Sequence, residues 1–136
     1  MAIDLADITL GITSMDQEHH ELAGLFDTFV ECFQSRASLE TIDALIEKGL
    51  ALGNAHLEHE EQLMDETGFA DAENHKLQHR RMRLEFTTLL GDILSYLQMH
   101  DPTTLRHLHK MRQILSEHID TADRDVAAHL KRIGHS

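Results

Sequence analysis

The chain is poor in the residues that interrupt helices and in those that staple small domains together. Of its 136 residues, one is proline, seven are glycine and one is cysteine. A lone thiol, Cys32, cannot close an intramolecular disulfide or supply the thiolate set of an iron–sulfur cluster or structural zinc site. Tryptophan is absent and tyrosine occurs once. No apolar run approaches the roughly 20 residues that span a bilayer, and no basic-then-apolar leader opens the chain. The expectation is a cytoplasmic protein with no membrane partner. Basic residues are scarce as well: 12 Lys and Arg stand against 24 Asp and Glu, a formal charge of −12. That balance argues against nucleic acid or an anionic surface as the main partner, and its self-repulsion suits a monomer. The length fits a single domain over residues 1–136, large enough to bury a core without cross-links.

Apolar residues recur at intervals of three and four, and no segment alternates at period two. The pattern predicts an all-α chain: a short N-terminal arm (about residues 1–13) followed by four helices. The first covers about 15–35, with Leu22, Leu25, Phe26, Phe29 and Phe33 on one face; Ser14 with Gln17 three residues later has the form of a capping box. The second covers about 39–66 through Ile42, Leu45, Leu52, His56 and Leu63, with Gly68 as its stop. The third starts near Asp71 and carries His75, His79, Met82, Phe86, Leu89, Leu90, Ile93 and Leu97. The fourth opens on Asp101 as N-cap and Pro102 at the first helical position and ends before Gly134. Short connections between four amphipathic helices predict an up-down-up-down antiparallel bundle.

Histidine is the abundant exception, with twelve residues. Several fall in register with the apolar stripes. His19 precedes Leu22, Phe26 and Phe29 at helical spacing. His56 and Glu60 are four apart, as are His75 and His79, and His118 follows Leu115 by three. One inward histidine is ordinarily a satisfied core residue. Five of them, spread over four stripes, would each need a partner if neutral and would repel one another if charged. A bound metal removes both difficulties. Imidazoles with carboxylates and no thiolate suit iron, zinc, copper or manganese, and the number of donors exceeds one tetrahedral zinc site. Two ions sharing carboxylates fit better, the candidates being Glu60 and an acid near His118. Asp123 lies five residues on, about 140° round an ideal helix, and a local π-type turn would align it.

These residues resemble those of a known family. Asp16-Gln-Glu-His19-His-Glu-Leu22 is similar to the first-helix D-x-x-H-x-x-L signature of bacterial hemerythrins. His56-Leu-Glu-His-Glu60-Glu61-Gln-Leu-Met64 resembles their H-F-x-x-E-E-x-x-M stretch, His75-Lys-Leu-Gln-His79 their H-x-x-x-H, and His118-Ile119-Asp-Thr-Ala-Asp123 their H-I-x-x-x-D. The four matches follow in family order over nearly the whole chain. The resemblance implies a non-haem centre of two iron ions, Fe2+ or Fe3+, joined by an oxo or hydroxo bridge. His75, His79 and His118 would hold one ion, His19 and His56 the other, and Glu60 and Asp123 would bridge them. Dioxygen would bind at the open position of the two-histidine iron, in an apolar pocket for which Leu115 and Ile119 are the candidate lining. The chain departs from the family pattern at Leu57, where an aromatic residue is usual, at Ile114, where tryptophan is usual, and in lacking a tryptophan in the arm.

Of the other seven histidines, His20, His59, His107 and His109 read as surface residues, and His100, His129 and His135 carry no assignment. Glu61 reads as facing outward or toward a neighbouring helix, and Cys32 as a core or boundary residue. Arg80, Arg81 and Arg83 read as a solvated face. Three functions are compatible with the resemblance. Reversible dioxygen binding for storage, delivery to an oxygen-consuming enzyme or scavenging ranks first, with no catalytic residues. Sensing of dioxygen, nitric oxide or redox state for an attached output domain ranks second. Catalysis as a peroxidase, nitric oxide reductase or ferroxidase ranks third, because oxygen-activating bundles use Glu-rich sites with Glu-x-x-His motifs and this sequence contains none.

Overall fold

The computed structural model describes residues 3–136, all of whose regular structure is helical. After a 3₁₀ turn at Leu5–Asp7 come α1 (Thr13–Gln34), α2 (Leu39–Thr67), α3 (Ala72–Leu97) and α4 (Thr103–His118), which passes through a π-helical turn at Ile119–Asp123 into α5 (Arg124–Arg132). Four long rods pack together, consistent with a bundle, and the last carries the π turn within it. Side-chain pairs fix the register between neighbours. Asp65 meets Lys76, Glu61 meets His79 and Arg83, and farther along Asp92 meets His107 while His79 meets His118. As residue numbers fall along one helix, those of their partners rise along the next. No helix among the described residues is long and apolar enough to cross a membrane.

The helix ends follow local chemistry, with one correction. Gly68 closes α2 in the left-handed conformation at φ 69°, its N–H donating to the Met64 carbonyl. Asp101 opens α4 by accepting from the Thr103 N–H at 2.9 Å. Ser14 does not cap α1: the helix starts two residues earlier, at Thr13, with buried Ile12 at its N-cap and no side-chain capping bond. The carboxylate that acts there is Asp16, which reaches back to accept from the Leu10 and Gly11 N–H groups at 2.8 and 3.0 Å. Gly11 sits at φ +85°, in the left-handed region where a side chain is strained, so the turn into α1 favours glycine.

The arm is part of the core. Leu5, Ile8, Leu10 and Ile12 are buried and join Met15, Leu22, Met64, Leu115, Ile119, Val126 and Leu130 in one apolar cluster. The Leu5 N–H donates to Ser116 Oγ at 2.9 Å in the interior. Outside, Arg112 clasps Asp4 through two nitrogens and Asp27 through a third, all at 2.8 Å, and holds the Asp4 carboxyl below its usual range. A second cluster of Phe29, Phe33, Ile42, Ile93, Leu97 and Leu108 fills the far end. Because Leu5 is fully buried, Leu5→Ala should cost about 2–5 kcal/mol, the range for truncating a core leucine. A urea unfolding curve coincident with the wild type would show that the arm merely lies on the bundle.

Candidate metal centre

The five inward histidines and two acids meet at one depth of the bundle. His19 comes from α1, His56 and Glu60 from α2, His75 and His79 from α3, His118 from the end of α4, and Asp123 from the π turn. His19, His56, Glu60, His75, His79 and Asp123 are between 0 and 3 % exposed, and the His118 side chain is 8 % exposed. The π turn at Ile119–Asp123 supplies the alignment that the five-residue spacing lacks in a regular helix. With it, Asp123 Oδ1 lies 3.0 Å from His118 Nε2 and 3.1 Å from His75 Nε2. Inserting one alanine after Thr121 turns the following residues by about 100° and should abolish metal uptake. Deleting Thr121 leaves a spacing of four, which still aligns His118 with Asp123, and should preserve it. Metal counts on the two purified variants check both.

The candidate ligand atoms form two groups with shared members. Glu60, His75, His79, His118 and Asp123 make one, and His19, His56, Glu60 and Asp123 the other, each a set that could hold a metal ion. Glu60 Oε1 faces the first group, bonded to His75 Nε2 and 3.1 Å from His79 Nε2, while its Oε2 lies 3.6 Å from His56 Nε2 in the second. Asp123 is divided in the same way, with Oδ1 toward His75 and His118 and Oδ2 3.3 Å from His19 Nε2. Within the groups, His79 and His118 bring their Nε2 atoms to 3.1 Å, and His19 and His56 theirs to 3.2 Å.

Hydrogen bonding does not account for this arrangement. Both Asp123 oxygens and Glu60 Oε2 are buried and lack an aligned hydrogen-bond donor, despite the nearby nitrogens. Their lone pairs and those of the imidazoles converge on common points. Two ligands at right angles, each about 2.1 Å from an ion, lie about 3.0 Å apart, and the spacings above are of that size. The buried polar atoms therefore fit an ion in each group.

Electrostatics agree. Burial pushes the Asp123 carboxyl up, but His118, His19 and His75 outweigh it and hold it well below the usual carboxylate range. Burial pulls the His75 imidazole down, and Asp123 and Glu60 more than reverse this, raising it to about 9. His56 is likewise raised, its burial outweighed by Glu18, Glu60 and Asp123. Without metal the cluster retains protons; an ion must displace them.

Sequence reasoning did not single out Glu18, whose Oε1 accepts from His56 Nδ1 at 2.7 Å. Its signal was adjacency: a carboxylate one residue from a ligand, at the seam between helices. Glu61 turns toward α3, one of the two orientations expected of it, and accepts from His79 Nδ1 at 2.9 Å. His59, expected at the surface, is half-buried and donates to Glu18 Oε2 at 2.9 Å. His100 and His129, which carried no assignment from the sequence, are half-buried. His100 stacks on Phe33 with ring centroids 4.2 Å apart and donates to its carbonyl, and His129 donates to the Thr67 carbonyl at 3.1 Å. His107 is half-buried against Tyr96, with its ring 5.8 Å away. His20, His109 and His135 are exposed.

A cleft of about 490 Å³ lies between the two apolar clusters, lined by Leu22, Phe26, Leu57, Met82 and Leu115 among others, and it reaches His56. Leu115 thus lines an apolar space beside the two-histidine group. Ile119 is fully buried in the cluster that includes the arm and is not part of the cleft wall. No family model, curated protein or solved structure matches this chain.

Proposed function

We propose that the chain holds two iron ions, one in each group, and binds dioxygen reversibly at the two-histidine ion, as the resemblance to bacterial hemerythrins implies. The observation that carries this reading is the division of Glu60 and Asp123, each with one oxygen toward either group. Carboxylates divided in this way hold two ions within about 4 Å, the separation that paired-metal sites use. Five imidazoles and two carboxylates without a thiolate suit iron. Counting the shared acids, one group offers five protein donors and the other four; an oxo or hydroxo bridge would complete six at the first ion and leave one position free on the His19–His56 side. Reduced iron, when bound, supplies the electrons that dioxygen needs in order to bind.

The remaining requirements fall to the chain's own residues. The five imidazoles and two acids fix the ions from four helices. The cleft reaches His56, on the side with the free position, and Leu57, Met82 and Leu115 give it apolar walls, with Asn54, Arg83 and Thr87 also lining it. A donor set with only two carboxylates favours binding over oxygen activation, so the chain reads as a carrier or store rather than an enzyme. Reducing the protein without air, admitting air, then sweeping with argon while recording the optical spectrum tests this. A visible band that rises in air and fades under argon over repeated cycles is expected. Direct passage to one lasting oxidised spectrum would overturn reversible binding and favour redox sensing or catalysis.

A further inference from the structure

Two of the five ligand-type histidines, one in each group, are backed by a carboxylate on the neighbouring helix. On the two-histidine side, Glu18 of α1 takes the outer nitrogen of His56 of α2 at 2.7 Å, and its second oxygen takes His59 Nδ1 at 2.9 Å. On the three-histidine side, Glu61 of α2 takes the outer nitrogen of His79 of α3 at 2.9 Å, with Arg83 Nη1 3.7 Å from the same oxygen. Each backing carboxylate is thus engaged twice: inward by an imidazole, outward by a half-buried His59 or Arg83 side chain. The contrast lies within the two-histidine group, where His19 Nδ1 is buried without a partner. Of the two imidazoles there, His56 alone has its outer nitrogen held by a carboxylate.

An imidazole whose Nδ1–H is held by a carboxylate has its tautomer and ring plane fixed, with the Nε2 lone pair free for a metal. We propose that Glu18 is a positioning residue for the two-histidine half of the centre, acting through His56 and itself held by His59, and that Glu61 acts through His79 on the three-histidine half. The inference rests on the two-ion reading, but not on iron or on dioxygen.

Cobalt(II) is the probe, titrated into the metal-free full-length protein, with its visible absorption reporting the ligand set at each ion. Glu18→Ala should weaken one of the two cobalt ions by about 10–100-fold, the usual cost of losing an outer partner, and change the absorption of that ion only. Glu61→Ala should do the same to the other. A His19→Ala background identifies the halves, because it should retain only the three-histidine ion: adding Glu18→Ala should leave that ion unchanged, and adding Glu61→Ala should weaken it. Glu18→Gln, whose amide oxygen can still accept from His56, should recover most of the affinity, and the melting point of metal-free Glu18→Ala should stay near that of the wild type. Equal cobalt affinities in wild type and Glu18→Ala, or equal weakening of both ions, would overturn the inference alone. A wild type that takes up fewer than two cobalt ions would overturn the two-ion reading and the inference with it.

Discussion

Replacing Glu60 with alanine should cost the protein both metal ions, whereas replacing His118 with alanine should cost it one. Glu60 gives one oxygen to each group, so its loss removes a ligand from both ions and the charge that binds them together. His118 belongs to the three-histidine group alone, and its removal leaves His19, His56, Glu60 and Asp123 in place. The expected loss of affinity for Glu60→Ala exceeds about 100-fold at both ions, beyond the range for an outer partner. Metal counts after gel filtration, with circular dichroism to verify the helices, distinguish the two variants. Retention of one tightly held ion by Glu60→Ala would mean that the acid serves one group only.

The second large effect is on stability, and its sign depends on pH. Metal that binds the folded chain but not the unfolded one stabilises it by about 4 kcal/mol when free metal is a thousand times its dissociation constant. For a chain of this size that is on the order of 10 °C in melting temperature. In the metal-free protein, the His75 imidazole is raised from its ordinary 6.5 to about 9 by its carboxylate neighbours. A raised folded value stabilises fully below about 6.5, and that contribution is lost as pH climbs toward 9. The metal-free protein should therefore soften between pH 6.5 and 9. Over the same range an ion displaces fewer protons, so metal binds more tightly. The gap between the loaded and metal-free melting points should widen as pH rises through this window. Scanning calorimetry at pH 6.5 and 9 measures it; a gap that shrinks would mean that the histidines are not the displaced groups.

The candidate ligands were legible in the sequence because each sits on a stripe that must be buried. His19, His56, His75, His79 and His118 share helical phase with Leu22, Leu63, Met82 and Leu115, and a bundle brings those stripes together. Asp123 was legible only through a mismatch: an acid at the wrong angle beside an inward histidine pointed to a π turn, and the turn is present at Ile119–Asp123. What the pattern did not yield depends on partners distant in sequence. Adjacency to His19 marks Glu18 as near the site but does not identify its partner as a histidine 38 positions away, and the histidines that bond to the Phe33 and Thr67 carbonyls do so across 67 and 62 positions. The capping box failed for a related reason. Burial of Ile12 with the arm sets the start of α1 and engages Asp16 with the backbone before the helix, which leaves Ser14 inside the first turn.

X-ray absorption at the iron edge, on protein reconstituted with ferrous iron and counted for metal, tests the shared-carboxylate centre most directly. The account predicts two irons per chain, nitrogen and oxygen neighbours with no sulfur, and an iron–iron vector of no more than about 4 Å. A single iron per chain, or two irons with no short vector between them, would contradict it.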